Sequence, residues 1–309
     1  MQTRDLPTPT MVDRGDLAGN AQSFALHLRA TNKARRTQQT YLEAVNGFRR
    51  FLAAAGMPLD IANIKREHVE AWMEKLLAES KASTAVNRYR SLQQFFRWAI
   101  DEGEITVSPM ARTKPPKNND QSTPVLTEPE LRRLLATVAG TDFDERRDAA
   151  IIRTFIGSGI RLAELTGLTA DALDLNLATI DVLGKGGRHR TAHVGAKAAR
   201  ALDRYSRVRS RHAHADSPAL WLGERGAMTV SGIAQVIRRR GDQADIVGLH
   251  PHMLRHSWAH GVLSAGMTES DVMALAGWRS SEMLRRYARV TASDRAIASS
   301  RLLNPGDRL

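Results

Sequence analysis

Four short stretches carry side chains that can act on a phosphate ester. In "GSGIRLAELTGL", Arg161 opens a helical segment and Glu164 follows three residues later. A carboxylate at that spacing can hold the guanidinium by a charge-assisted bond, and an arginine fixed near a helix N-terminus suits a phosphate. In "LGKGGRHR", glycines around Lys185 let backbone and lysine come close to a ligand. The stretch lacks GxxxxGK[ST] and a following helix, so it is not a P-loop. In "PHMLRHSWAH", Pro251 suits the first turn of a helix, which places His252 and Arg255 on one face, with His256 and His260 continuing the histidine series. In "AGWRSSEMLRRYARV", Met283, Leu284, Tyr287 and Val290 recur as one buried helical stripe would. That stripe includes one of only 4 tyrosines, with Arg285, Arg286 and Arg289 beside it.

Each stretch taken alone has a structural alternative. Arg161 and Glu164 can be an ordinary ion pair, Lys185 an exposed turn residue, His252 a helix cap, Arg255 a surface cation and Tyr287 a core residue with a polar tip. A zinc site fits poorly, because no carboxylate or cysteine accompanies the histidines and Arg255 would repel a cation. Taken together, two arginines, a lysine, a histidine and a tyrosine without an acidic cluster for Mg²⁺ are the parts of metal-free phosphoryl transfer. Guanidiniums can clamp the non-bridging oxygens as charge develops, and a histidine or lysine can move protons at the entering and leaving oxygens. A tyrosine hydroxyl, with a pKa near ~10, needs nearby cations to act as a nucleophile. No metal and no cofactor are expected.

These residues need elements to aim them. Residues 21–111 are helical throughout, in four periodic segments, with Gly56 and Gly103 where helices should stop. In the fourth segment Ala85, Tyr89, Leu92, Phe96 and Ala99 form an inward stripe. Ser83, Thr84, Asn87, Arg88 and Arg90 are left on a small, polar, basic face that suits a DNA groove or simply solvent. Residues 112–124, with paired prolines and polar residues, read as an extended linker. Residues 125–309 open on a capping box, Thr127 with Glu130, and mix helices with a strand–turn–strand over "ATIDVLGKGGRHRTAHVG". "PALWLG" reads as an edge strand or loop anchor. The predicted architecture is mainly α: a four-helix domain, a linker, and a mixed α+β domain with a small antiparallel sheet.

The chain of 309 residues is long enough for two domains, and its 42% hydrophobic and 25% charged content is that of a soluble globular protein. No apolar run has the roughly 18–20 residues a bilayer helix needs, so no membrane is expected. The N-terminal stretch lacks an apolar h-region, and residues 1–20 read as a flexible arm. The absence of cysteine excludes disulfides and thiol nucleophiles and suits a cytoplasmic protein. A net charge of +12, with a positive excess in both globular segments and the linker, points to a polyanionic partner.

The ordered set resembles the tyrosine recombinases, or phage-type integrases, over nearly the whole chain. The family arrangement is an arginine in "RxxEL", a lysine in a hairpin "GKG", an "HxLRH" helix, an "LGH" turn and a tyrosine nine residues beyond it. Here these are "RLAEL", "GKG", "HMLRH", an "AGW" turn carrying Trp278, and Tyr287. The resemblance implies that Tyr287 attacks a DNA phosphate to form a 3′-phosphotyrosyl link. Arg161 and Arg255 then bind the scissile phosphate, Lys185 protonates the leaving 5′ oxygen, and His252 handles the nucleophile's proton. Glu164 and His256 would support the site. Trp278 stands where most members have histidine; an indole N–H can donate but cannot shuttle a proton. The resemblance also implies a SAM-like core-binding domain that closes with the second domain as a C-shaped clamp on double-stranded DNA with inverted-repeat core sites. It implies a tail over about 292–309 that docks on a neighbour in a homotetramer, or a heterotetramer with a paralogue. Ser83, Thr84, Asn87 and Arg88 are the expected base readers, with Lys33, Arg35 and Arg36 on phosphates. Integration or excision of a mobile element is the preferred role. Xer-type dimer resolution, a type IB topoisomerase and a non-catalytic DNA-binding relative are the alternatives.

Overall fold

The helix over Ala82–Asp101 buries Ala85, Tyr89, Leu92, Phe96 and Ala99, which is the stripe that its sequence spacing predicts. A computed structural model describes residues 15–117, 124–184, 187 and 189–278. The chain divides into two compact units, Met1–Gln121 and Ser122–Leu309.

The first unit consists of α1 (Leu17–Ala30), α2 (Arg35–Ala54), a 3-10 turn (Ile61–Asn63), α3 (Arg66–Glu79) and α4 (Ala82–Asp101). Aromatic rings fill its core. Phe24 meets Phe95 edge-on at 5.5 Å, and Phe48 packs on Trp72 at 5.2 Å. Arg88 reaches the Thr40 carbonyl and Glu43, while Phe48 lies 6.3 Å from Phe96. Both pairs join positions 48 apart, so α2 and α4 run parallel and begin at the same end of the unit. Part of the stretch expected as an arm over residues 1–20 is helical, since α1 starts at Leu17, and residues 1–14 lie outside the described residues. Leu17, Ala21, Phe24 and Leu28 form one buried face, and the Leu17 N–H donates to the Leu59 carbonyl at 2.9 Å. The expected linker also begins inside the unit, because the Tyr89 hydroxyl donates to the Thr113 carbonyl at 2.9 Å.

The second unit opens with α5 (Glu128–Ala136), capped reciprocally by Thr127 and Glu130 as the sequence predicts. It continues through α6 (Phe143–Ser158), α7 (Leu162–Thr166), β1 (Leu173–Asp174), β2 (Thr179–Leu183), β3 (His189–His193) and α8 (Ala196–Arg209). After these come β4 (Leu222–Gly223), β5 (Gly226–Ala227), α9 (Val230–Gln243), α10 (Pro251–Ser264) and α11 (Glu269–Ala276). Strands β1, β2 and β3 form an antiparallel sheet in that order, with Val182 opposite Arg190. The "PALWLG" stretch serves as both strand and anchor: it supplies β4, and Trp221 is buried with its indole N–H donating to the Leu165 carbonyl at 2.8 Å.

Helix α6 is central to this unit. Ile151, Ile152 and Phe155 are fully buried, and each such side chain contributes about 1.5–3 kcal/mol of apolar transfer. Its one deeply buried carboxylate, Asp148, is held by Arg147 and Arg240, each at 2.8 Å, and by Arg239 at 3.0 Å. The last turn of α6 carries Gly157, where an added Cβ would lie 2.0 Å from the Val194 carbonyl oxygen. The absence of a side chain therefore lets the helix end meet the exit of β3.

Candidate active site

The site is built where α6, α7, α10 and α11 end or begin. Gly159 closes α6 in the left-handed region, with φ at 57°. Arg161 then caps α7, and its backbone N–H donates to Glu164 at 3.1 Å. The Arg161 Nη1 donates to Glu164 Oε1 at 2.7 Å and its Nη2 to the Gly277 carbonyl at 2.7 Å. On α10, Pro251 sits in the first turn, and Arg255 is buried rather than a surface cation. Its guanidinium donates to the Gly159 carbonyl and, at 2.7 Å, to the Ala276 carbonyl. The two arginines therefore converge on consecutive carbonyls at the C-terminus of α11, where the helix end is negative.

Trp278 follows directly. Its ring lies 5.2 Å from the Arg255 guanidinium, and it packs against the apolar cluster that includes Trp258 and Leu263. His252 is exposed, and its ring stands edge-to-face on the buried His256 at 4.2 Å. The ring is only partly shielded from water, but that partial desolvation, with Arg255 and His250 nearby, holds the His252 imidazole below the usual histidine range. It is therefore neutral at neutral pH and can accept a proton. Burial opposes ionisation of Glu164, but hydrogen bonds from Arg161 and the Arg190 charge outweigh it and hold its carboxyl below the usual range.

Sequence reasoning passed over Arg190 on β3, whose Nη2 lies 2.7 Å from Glu164 Oε2. Lys185, between β2 and β3, lies outside the described residues; in the same connection the Gly187 N–H donates to the Gly184 carbonyl at 3.2 Å. Tyr287 also lies outside them, with Met283, Leu284, Val290 and the tail. Among the described residues, no cluster is arranged to hold a metal ion and no helix is long and apolar enough to cross a membrane.

In the first unit, Lys33, Arg35 and Arg36 are exposed where α1 gives way to α2. Thr84 and Asn87 are exposed near the start of α4, and Ser83 is half-buried. Because α2 and α4 run parallel, these two groups share one end of the unit. Arg88 differs from its neighbours: it is tied to Glu43 at 3.0 Å and to the Thr40 carbonyl.

Residues 124–294 match the phage integrase family, and residues 21–103 match its N-terminal SAM-like domain. Tyrosine recombinase XerC of Azotobacter vinelandii is 32% identical over 274 residues, covering 84% of this chain and 88% of that protein. Tyrosine recombinase XerD of Bifidobacterium longum is 31% identical over 241 residues, covering 74% and 78%. Among solved structures, XerH bound to a palindromic difH substrate shares the fold with a TM-score of 0.73 at 18% identity, covering 91% of this chain and 84% of that one. A lambda integrase dimer bound to a COC′ core site gives 0.70 at 17% identity, covering 88% and 77%. Sequence and fold agree over both units, and the chain belongs to the phage integrase family, the tyrosine recombinases.

Proposed function

We propose that this recombinase cuts and rejoins duplex DNA at a specific site through a covalent 3′-phosphotyrosyl link to Tyr287, without metal or ATP. The observation that carries the reading is the convergence of Arg161 and Arg255 on the Ala276 and Gly277 carbonyls, ten residues or so before the tyrosine. In this reading a scissile phosphate takes up guanidinium N–H groups that the free protein gives to backbone oxygens. Tyr287 loses its proton to the neutral His252 and attacks phosphorus. The bond to the 5′ oxygen breaks, and Lys185 protonates that oxygen to give a 5′-hydroxyl. A 5′-hydroxyl from another strand reverses the steps, so phosphodiester energy is conserved. Trp278 donates its indole N–H to a phosphate oxygen and packs against Arg255.

The first unit serves as the core-binding domain, and both units act on DNA bearing inverted-repeat core sites. The end that carries Lys33, Arg35, Arg36, Ser83, Thr84 and Asn87 faces the DNA. Strand exchange takes place in a tetramer on two sites, joined through the tails; the lambda integrase tetramer bound to a Holliday junction shares this fold. Trp278 in place of the usual histidine favours a mobile-element or phage integrase. The XerC and XerD relatives favour a second reading, resolution of chromosome or plasmid dimers.

The test is a nicked duplex carrying the sequence that the protein protects. Wild type is expected to form a covalent adduct that Tyr287→Phe does not form. No adduct, or one that persists in Tyr287→Phe, rejects the reading. Binding without strand exchange would mark a non-catalytic relative, and relaxation of plasmids lacking the site would mark a topoisomerase.

A further inference from the structure

Arg190 has no place in the set of residues that the sequence singles out, yet its guanidinium lies inside the cluster around Glu164. The Glu164 carboxylate is divided between two cations. Its Oε1 takes Arg161 Nη1 and its Oε2 takes Arg190 Nη2, each at 2.7 Å. The exposures differ: the side chains of Arg190 and Glu164 are 18% and 6% exposed, while that of Arg161 is 40% exposed. Arg190 Nη1 is buried and, among the described residues, has no hydrogen-bond partner. An unsatisfied buried N–H is unfavourable, so hydrogen-bond count alone does not explain an arginine here. Arg190 Nε and Arg161 Nη1 each lie 3.3 Å from where a Cβ on Gly277 would sit, so the two guanidiniums bracket that glycine.

Charge supplies the reason. A phosphodiester carries one negative charge and gains another as the attacking oxygen adds. If Glu164 paired with Arg161 alone, it would cancel the more exposed of the two clamp arginines and leave one net charge, that of Arg255. With Arg190 as the second partner, Arg161, Arg190, Arg255 and Glu164 together carry two net positive charges. Electrostatic stabilisation of that kind is worth most in a partly buried, preorganised site.

We propose that Arg190 is a positioning residue for DNA cleavage, the counter-ion of Glu164 that leaves the charge of Arg161 available to the scissile phosphate. The inference rests on the recombinase reading given above. The same ion pair fastens β3, and with it the hairpin that carries Lys185, to the start of α7.

The experiment is single-turnover adduct formation on the nicked duplex, with non-covalent affinity measured in the Tyr287→Phe background. Arg190→Gln is expected to slow adduct formation on the order of 10- to 100-fold, the loss that removal of a supporting partner causes behind liganding groups, with affinity changed far less. Glu164→Gln/Arg190→Gln removes the unpaired carboxylate together with its partner and is expected to recover most of that loss. In the Glu164→Gln background, replacing Arg190 is expected to change the rate by less than about threefold, since the coupled partner is already gone. That comparison stands even if Arg190→Gln alone does not fold. Wild-type cleavage rates in Arg190→Gln overturn the proposal. So does a further tenfold fall on replacing Arg190 in the Glu164→Gln background, which would mark a merely structural strut. Failure of the recombinase reading appears separately, as absence of any adduct with wild type.

Discussion

The Arg255 guanidinium lies over the Trp278 ring, 5.2 Å from its centroid, and the same guanidinium donates to the carbonyl of Ala276, two residues before that ring. Trp278 thus takes part in holding an arginine of the proposed phosphate clamp, whatever its indole N–H does. Trp278→Phe keeps an aromatic face and is expected to retain most cleavage. Trp278→Ala removes a cation–π contact of about 0.5–2 kcal/mol and is expected to slow adduct formation about 2- to 30-fold. A Phe variant as slow as Ala would show that the indole N–H is the part that matters.

Gly159 has a left-handed φ of 57°, and a Cβ there would lie 2.0 Å from Trp258 Cε3. Its carbonyl also accepts from Arg255. Gly159→Ala is expected to destabilise the second unit by about 3 kcal/mol, combining overpacking with the left-handed penalty. It should also lower cleavage in the molecules that remain folded. Denaturant titration followed by single-turnover kinetics separates the two effects.

The depressed pKa of His252 sets a pH window. Desolvation, with Arg255 and His250 nearby, disfavours the protonated ring, so its folded value lies below the ordinary one near ~6.5. Cleavage that uses neutral His252 as proton acceptor is expected to stay level as pH falls to that value and to decline only below it. His250→Asn removes one of the opposing groups and should move the acid limb upward. Linkage runs the same way for stability: the unfolded chain binds the proton more readily, so stability falls as pH drops through the unfolded value.

Asp148 is fully buried among Arg147, Arg239 and Arg240. Asp148→Asn leaves buried guanidinium charge uncompensated and is expected to cost about 3–5 kcal/mol. An equilibrium denaturation curve of the intact protein should show the second unit's transition moving to lower denaturant.

Exposed Lys33, Arg35 and Arg36 are proposed phosphate contacts. Neutralising any one that touches a phosphate should flatten the dependence of log Kd on log salt by about 0.9. Arg88, tied to Glu43 and Thr40, is expected to change that slope less. Fluorescence anisotropy across a salt series decides each residue in turn.

Much of this molecule is readable from residue order, because the signals are local. The stripe on α4, the Thr127–Glu130 cap and the β2–β3 hairpin each follow from periodicity or turn chemistry within a few residues. The Arg161–Glu164 pair is legible for the same reason. Arg190 was not legible, because its partner is 26 residues away and no spacing rule links a strand residue to a helix cap. One trace was available: Arg190 shares the inward face of β3 with buried Ala192, an unusual place for a charge. Burial of Arg255 and of Asp148 depends on how α6, α9 and α10 pack, and a charge run carries no mark of that. Leu17 shows the opposite case, where an apolar stripe extends a helix into a stretch whose composition reads as an arm.

Apart from the Glu164 carboxylate, the acceptors described for Arg161 and Arg255 are main-chain oxygens, those of Gly159, Ala276 and Gly277. A carbonyl is present whatever side chain a position carries. The resting place of Arg161 and Arg255 is therefore insensitive to most substitutions along α11, and sequence drift there should be broadly tolerated. Only changes that redirect the chain itself, such as a proline within α11 or a side chain at left-handed Gly277, should disturb it.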